Sequence, residues 1–221
     1  MKKLKADLHL HTKEDPQDRV KYNAKELIDQ AYLRGFDVLA ITNHNQITYD
    51  NYLAEYARER GILLIPGAEA KIDKKHVLLL NMNYSLHRIR TFNDLKLLKD
   101  GAGLIIAPHP FFPSFTSLNS KLEKHLDIFV AIEYSYCYLE KINFNKKAEA
   151  LAKGFSLPLI GTSDAHFLWQ IGTTYSLIEA ERDIESVIAA VREGKVEVVT
   201  EPLSLSRACS IIWMLLSHMM R

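Results

Sequence analysis

Asp7-Leu8-His9-Leu10-His11 near the start and Ser163-Asp164-Ala165-His166 near the end decide how this chain is read. Each places metal-ligand side chains two residues apart. In an extended strand that spacing sets them on one face. Asp7, His9 and His11 are therefore expected to point one way, and Leu8 and Leu10 the other. Strands buried on both faces carry apolar residues throughout. Polar groups on an inner face are costly unless a charge compensates them, and a divalent cation does this best. His-x-His also arises by chance, and a buried histidine is often satisfied by a neighbour. The candidates lying between the two motifs therefore carry much of the weight.

Outward from these motifs, short apolar strands alternate with amphipathic helices. Strands are expected at Lys3–Leu10, Val38–Thr42, Leu63–Ala70, His76–Met82, Leu104–Pro108, Ile128–Glu133 and Leu159–Thr162. Helical spacing runs through Asn23–Arg34, Tyr49–Arg60, Thr91–Asp100, Leu139–Lys153 and Arg182–Glu193, each followed directly by a glycine stop signal. Repeated αβ units of this kind predict a parallel α/β fold, a barrel or an open sheet. The polar candidates choose between them. His9, His11, His44, Glu69, His109, Asp164 and His166 fall at or just beyond strand ends. Active sites of α/β barrels collect at the C-terminal ends of the strands, so a closed or nearly closed barrel is expected.

The 221 residues suit one domain with a full hydrophobic core, taken as residues 1–200 followed by an apolar tail at 201–221. A formal net charge of +1 gives no sign of a general nucleic-acid or acidic-membrane patch. Cys137 and Cys209 match no zinc or redox spacing and read as free thiols in a reducing, cytoplasmic setting. The N-terminus runs straight into a strand pattern, with no secretory signal expected. The tail, Ser210 to Met220, is too short for a membrane span, which needs about twenty apolar residues. A terminal helix docked on the barrel, or on a second subunit in a homo-oligomer, is the expected reading.

The motifs Asp7-Leu8-His9-Leu10-His11-Thr12, Ile41-Thr42-Asn43-His44, Pro66-Gly67-Ala68-Glu69, His76-Val77-Leu78-Leu79, Pro108-His109-Pro110 and Ser163-Asp164-Ala165-His166 occur in the order of a known family. The sequence resembles the PHP (polymerase and histidinol phosphatase) family up to about Gly172. The resemblance implies a distorted seven-stranded, TIM-like (β/α)7 barrel holding two or three divalent metals: zinc, manganese or iron. It implies one metal held by His9, His11, Glu69 and Asp164. Glu69 bridges to a second, completed by His76 and His109. His44 and His166 hold a third, with a carboxylate from the loop after His11. Imidazole suits these metals, and a carboxylate has two oxygens with which to bridge.

Two departures stand out. In the loop Thr12–Arg19, counting forward from His11 favours Asp15 as the ligand, and counting back from the first helix favours Asp18; Asp15 is preferred. Asn43 precedes His44 where relatives carry Asp, which would orient an imidazole better.

The implied activity is hydrolysis of a small phosphomonoester or nucleotide by metal-activated hydroxide. Glu69, Asp164 and His166 are the catalytic candidates, the last two assisting departure of the alcohol. Arg19, Lys71 and Arg88 are candidates for holding phosphate oxygens, and Tyr134, Tyr136 and Tyr138 for walling a pocket. His87, His125 and His218 match no motif. A nuclease trimming nucleotide ends is the alternative within the family, although near-neutral charge argues against long nucleic acids. An amidohydrolase-like enzyme also opens with His-x-His, but relies on a bridging lysine where this chain offers Glu69.

Overall fold

The structure, a computed structural model, describes residues 3–82 and 85–211. Strands β1 (Lys3–Leu10), β2 (Val38–Ile41), β3 (Leu63–Ile72), β4 (Lys75–Leu80), β5 (Leu104–Ala107), β6 (Ala131–Ser135) and β7 (Leu159–Thr162) fall where expected. Two more, β8 (Thr174–Glu179) and β9 (Val196–Thr200), follow them. The described residues thus form one nine-stranded sheet in the order β7-β6-β5-β4-β3-β2-β1-β8-β9. It is mixed rather than the expected seven-stranded parallel (β/α)7 barrel. A parallel neighbour needs a crossover of a dozen or more residues. Between β3 and β4 there are only Asp73 and Lys74, both at positive φ (46° and 67°), a tight turn that forces an antiparallel pair. β4 with β5, β1 with β8, and β8 with β9 are also antiparallel.

The sheet curls into a nearly closed barrel, and side chains do much of the closing between its β7 edge and β1 and β8. The Ser176 hydroxyl accepts from Gly161 N and donates to Gly161 O, both at 2.9 Å. Asp7 Oδ1 accepts from Ser163 N at 3.1 Å, and His11 N donates to Ala165 O at 3.2 Å. Gly161 is required here. A Cβ on it would lie 2.6 Å from Tyr175 O and 2.9 Å from Val198 Cγ1.

Alternation fills the barrel. Leu4, Ala6, Leu8, Val38, Ala40, Leu78, Leu80, Leu104, Ile106 and Ile160 pack inside, with Val187 and Val191 of α6 (Ile184–Arg192). Leu39, Ile41 and Leu64 face outward to α1 (Ala24–Leu33) and α2 (Asn51–Arg58). Leu79, Ile105 and Ile132 face α3 (Phe92–Lys96), α4 (Ser120–Lys124) and α5 (Asn145–Phe155).

The simple alternation expected for β1 fails at its end. Leu8 packs inside with Leu4 and Ala6, Leu10 packs outside against α1, and the register with β2 shifts between Asp7 and Leu10. Such an irregularity re-aims side chains. It separates Asp7, turned to the seam, from His9 and His11.

Local signals explain the helices. Asn23 and Glu26 form a reciprocal capping box at the start of α1, and Gly35 (φ 69°) ends it. α5 departs from expectation. It starts at Asn145, whose side chain bonds Ser135 N and O, and it runs through Gly154 to a left-handed Ser156. Residues 139–142 form a turn closed by reciprocal Leu139 and Ile142 backbone bonds instead. Residues 205–211 are helical, and the tail positions 212–221, His218 among them, lie outside the described residues.

Gly161→Ala is expected to cost about 1–3 kcal/mol of stability, because overpacking at a backbone contact has no side chain to yield. Urea denaturation would measure it, and an unchanged midpoint would show that the seam is not tightly packed.

Candidate metal centre

The strands deliver the ligand candidates to one mouth. His9 and His11 come from the end of β1, His44 follows β2, Glu69 sits in β3, His109 follows β5, and Asp164 and His166 follow β7. His76 arrives differently. β4 runs back from the Asp73–Lys74 turn, so His76 lies directly opposite Lys71, two residues beyond Glu69. His109 and Asp164 hold positive φ (28° and 43°), a strained conformation that clusters at functional sites.

His9 Nε2 and His11 Nε2 are 3.2 Å apart. Glu69 Oε2 is 3.5 and 3.4 Å from them, and Asp164 Oδ1 is 3.4 and 3.2 Å from them. A tetrahedral ion with bonds of about 2.0–2.1 Å has ligand edges of about 3.3–3.4 Å. His9, His11 and Asp164 therefore fit a cation in both chemistry and spacing, and Glu69 Oε2 faces the same two rings. Glu69 turns its other oxygen away: Oε1 is 2.7 Å from His76 Nδ1 and 3.0 Å from His109 Nε2. Oε2 also lies 3.0 Å from His44 Nε2.

The loop after His11 contributes both carboxylates, so a choice of Asp15 over Asp18 is too narrow. Asp15 is buried, and its Oδ2 is 2.8 Å from His11 Nδ1 and 2.9 Å from His44 Nδ1. It also accepts from His44 N at 2.8 Å. Asp18 Oδ2 is 2.8 Å from His166 Nε2 and 3.4 Å from His44 Nδ1. Both carboxylates thus face His44 Nδ1, Asp18 together with His166 and Asp15 together with His11, and His11, Asp15, Asp18 and His44 lie close enough to share a cation. Among the described residues the Asn43 side chain hydrogen-bonds no imidazole. It accepts from Thr12 N and donates to the Thr12 and Thr48 hydroxyls, stapling the loop.

Residues 143–196 match a family model described as PHP-associated. The structure of a two-domain protein from Bacteroides vulgatus, containing a predicted PHP-like metal-dependent phosphoesterase, superposes on 94% of this chain and 68% of its own. The TM-score is 0.72 at 20% identity. The chain thus carries a PHP-associated segment and shares the fold of a PHP-like protein. An uncharacterized protein of Methanocaldococcus jannaschii is 25% identical over 178 residues, 78% of this chain and 69% of its own. Endonuclease Q, solved with a 27-mer duplex bearing an abasic lesion, superposes on 96% of this chain and 67% of its own. Its TM-score is 0.63 at 15% identity.

The site includes groups that sequence reasoning missed. Glu133 on β6 is fully buried, with Oε2 2.9 Å from His9 Nδ1. It does for His9 what Asp15 does for His11, fixing the ring by its other nitrogen. The available signal was a lone charge inside an apolar strand, the same one that marked Glu69. Gln170 Oε1 accepts from His166 N and Phe167 N and shapes the last ligand loop.

Of the remaining candidates, Arg19, Lys71 and Arg88 do not line the cavity at the mouth. Arg19 and Arg88 are exposed, and Lys71 borders a separate cavity with Asn45, Lys74 and Arg90. His87 is exposed, and His125 stacks on Phe92 with ring centroids 4.3 Å apart. Of the three tyrosines, Tyr136 lines the mouth, while Tyr134 and Tyr138 meet edge to face.

Charge balance follows the burial. Burial pushes Asp7 up to about 7, against the hydrogen bonds from Ser163 and His9 N that pull it down. Burial opposes charge on Glu69, and the His76, His44 and His9 rings outweigh it, holding Glu69 well below the usual range. Burial likewise opposes charge on His9 and His11. The surrounding carboxylates outweigh it, leaving both well above their ordinary value, and His44 is raised to about 9.

These directions set a sign. Histidines with raised values carry protons near neutrality in the metal-free protein, and a cation needs the same nitrogens, so loading must release protons and weaken as pH falls. Calorimetric zinc titration in buffers of different ionisation enthalpy is expected to show release of more than one proton per chain. Zero release would contradict the charge balance.

Asparagine variants separate the loop carboxylates. Asp18→Asn is expected to lose about one metal equivalent. Asp15→Asn should keep the count but weaken retention about 10–100-fold. Elemental analysis and competition with a chelator read the two effects.

Proposed function

We propose that this chain hydrolyses a small phosphomonoester with the help of two or three divalent cations. The fold is that of PHP-like metal-dependent phosphoesterases. The observation that carries the reading is Glu69, with one oxygen facing His9, His11 and His44 and the other facing His76 and His109. His9, His11, Glu69 and Asp164 would hold one cation, Glu69, His76 and His109 a second, and Asp18, His44 and His166 a third. Bound there, the cations would supply positive charge to phosphoryl oxygens and acidify water.

The chain's own residues do the rest. Glu133 and Asp15 fix the His9 and His11 rings, so the Nε2 atoms need no reorganisation during reaction. His166 lines the cavity, its Nδ1 donating to Asp164 O at 2.9 Å so that Nε2 faces Asp18, where the third cation would sit beside the departing alcohol. Cys137 lines the same cavity, but burial pushes its thiol up to about 12, so it is no nucleophile near neutrality. Direct attack by water fits these groups better than a covalent enzyme intermediate.

A nuclease is the second reading. It draws on the fold shared with Endonuclease Q and on Lys71, Lys74 and Arg90 around the separate cavity. No helix among the described residues is long and apolar enough to cross a membrane.

Exhaustive chelation is expected to abolish phosphate release from phosphomonoesters, and added manganese, zinc or iron to restore it. Glu69→Gln should lose at least one metal equivalent and about 100-fold or more in kcat. Full activity in metal-free protein, or wild-type metal content and rate in the variant, would end this reading.

A further inference from the structure

The cavity above the candidate ligands has two unlike halves. One is ionic, with Glu69, His109 and Asp164. The other is walled by Phe112, Tyr136, Cys137 and Ile211, and among the described residues no lysine or arginine lines the cavity. Its volume is about 150 Å³. Pockets for drug-sized ligands span roughly 300–1,000 Å³.

Ile211 belongs to the C-terminal segment whose apolar character stood out in the sequence. Beyond β9 the chain returns to the mouth, where Leu203 N donates to Tyr138 O at 2.9 Å and residues 205–211 turn helical. Most of this helix is exposed, Cys209 and Ser210 included, yet Ile211 is only 2% exposed and packs with Tyr136 and Leu203. Arg207 stands over the Trp169 ring, 5.0 Å from its centroid, and steadies the helix.

Chemistry limits what this wall accepts. A second negative group placed against it would lose water, find no lysine or arginine among the described residues lining the cavity, and share the space with Asp18 and Asp164. An apolar or aryl face would instead bury surface against Tyr136 and Ile211. The Ser114 and Thr116 hydroxyls, 2.8 Å apart, also line the cavity and suit an uncharged polar group.

We propose that this wall is the leaving-group subsite. It takes a compact, uncharged alcohol with an apolar or aryl face, and Ile211 is a specificity-determining residue. The assignment rests on the phosphoesterase reading above.

The test is calorimetry on the full chain loaded with zinc or manganese. The probes are inorganic phosphate, phenylphosphonate, 3-phosphonopropionate and a 5′-phosphorylated dinucleotide. Phenylphosphonate is expected to bind about tenfold or more tighter than phosphate. Ile211→Ala should erase most of that gap and leave phosphate affinity unchanged. Thermal melting checks the fold of the variant, and Phe112→Ala probes the same wall should Ile211→Ala not fold.

The assignment is overturned if phenylphosphonate binds no tighter than phosphate, or if the gap survives in the wall variant. It also fails if the carboxylate-bearing probe or the dinucleotide binds most tightly. Turnover of phenyl phosphate is read separately. The expected binding gap without phosphate release would sink the hydrolysis reading and leave the subsite standing. Phosphomonoester turnover without the gap would do the reverse.

Discussion

Glu69 is a carboxylate taken almost wholly out of water, with side-chain exposure of 2%. An ion in that position costs several kcal/mol unless opposite charge meets it from close by. The chain answers with histidines from β1, β4 and the segments after β2 and β5, all aimed at one carboxyl group. The mouth of the barrel is organised around that demand. β1 bulges so that both His9 and His11 face inward, and β3 and β4 fold as a hairpin so that His76 returns to Glu69. His109 and Asp164 hold backbone angles that most side chains avoid. Metals and imidazolium compete for the same role, so the centre has two ways of being electrically balanced.

Much of this is legible in the sequence, for reasons that can be named. Ligand motifs declare themselves locally because the chemistry needs particular side chains at particular strand ends. The first seven strands are visible because they are apolar runs with glycine stops between helices. β8 and β9 are harder to see. Thr174–Glu179 mixes polar and apolar residues, and Val196–Thr200 carries Glu197 and is only partly buried along much of its length. The parallel barrel inferred from αβ repeats also fails, first where the spacing between Ala70 and His76 leaves no room for a crossover and again at β4–β5, β1–β8 and β8–β9.

The ligand loop shows a different limit. Asp15 and Asp18 are three residues apart, and counting along a chain cannot say which carboxylate pairs with His11 and which with His166. That depends on a turn in which Asp15 Oδ1 accepts from Gln17 N and Asp18 N. Glu133 escaped notice because its role exists only once β6 lies across the barrel from His9. Supporting groups of this kind fix ring orientation and are read from space, not from spacing.

The β3–β4 hairpin has a consequence for how the centre assembles. Glu69 and His76 meet as soon as a two-residue turn forms, and hairpins of this size close in roughly microseconds. Asp7 and Ser163, which help to seal the barrel, are 156 positions apart and must await a much larger loop. Contacts so distant along the chain are the slow part of folding. The hairpin can therefore present a carboxylate and an imidazole to solvent before Asp164 arrives. In that order of events a cation would be captured by a half-built site and then walled in by the rest of the molecule, so that its release would track the opening of the seam.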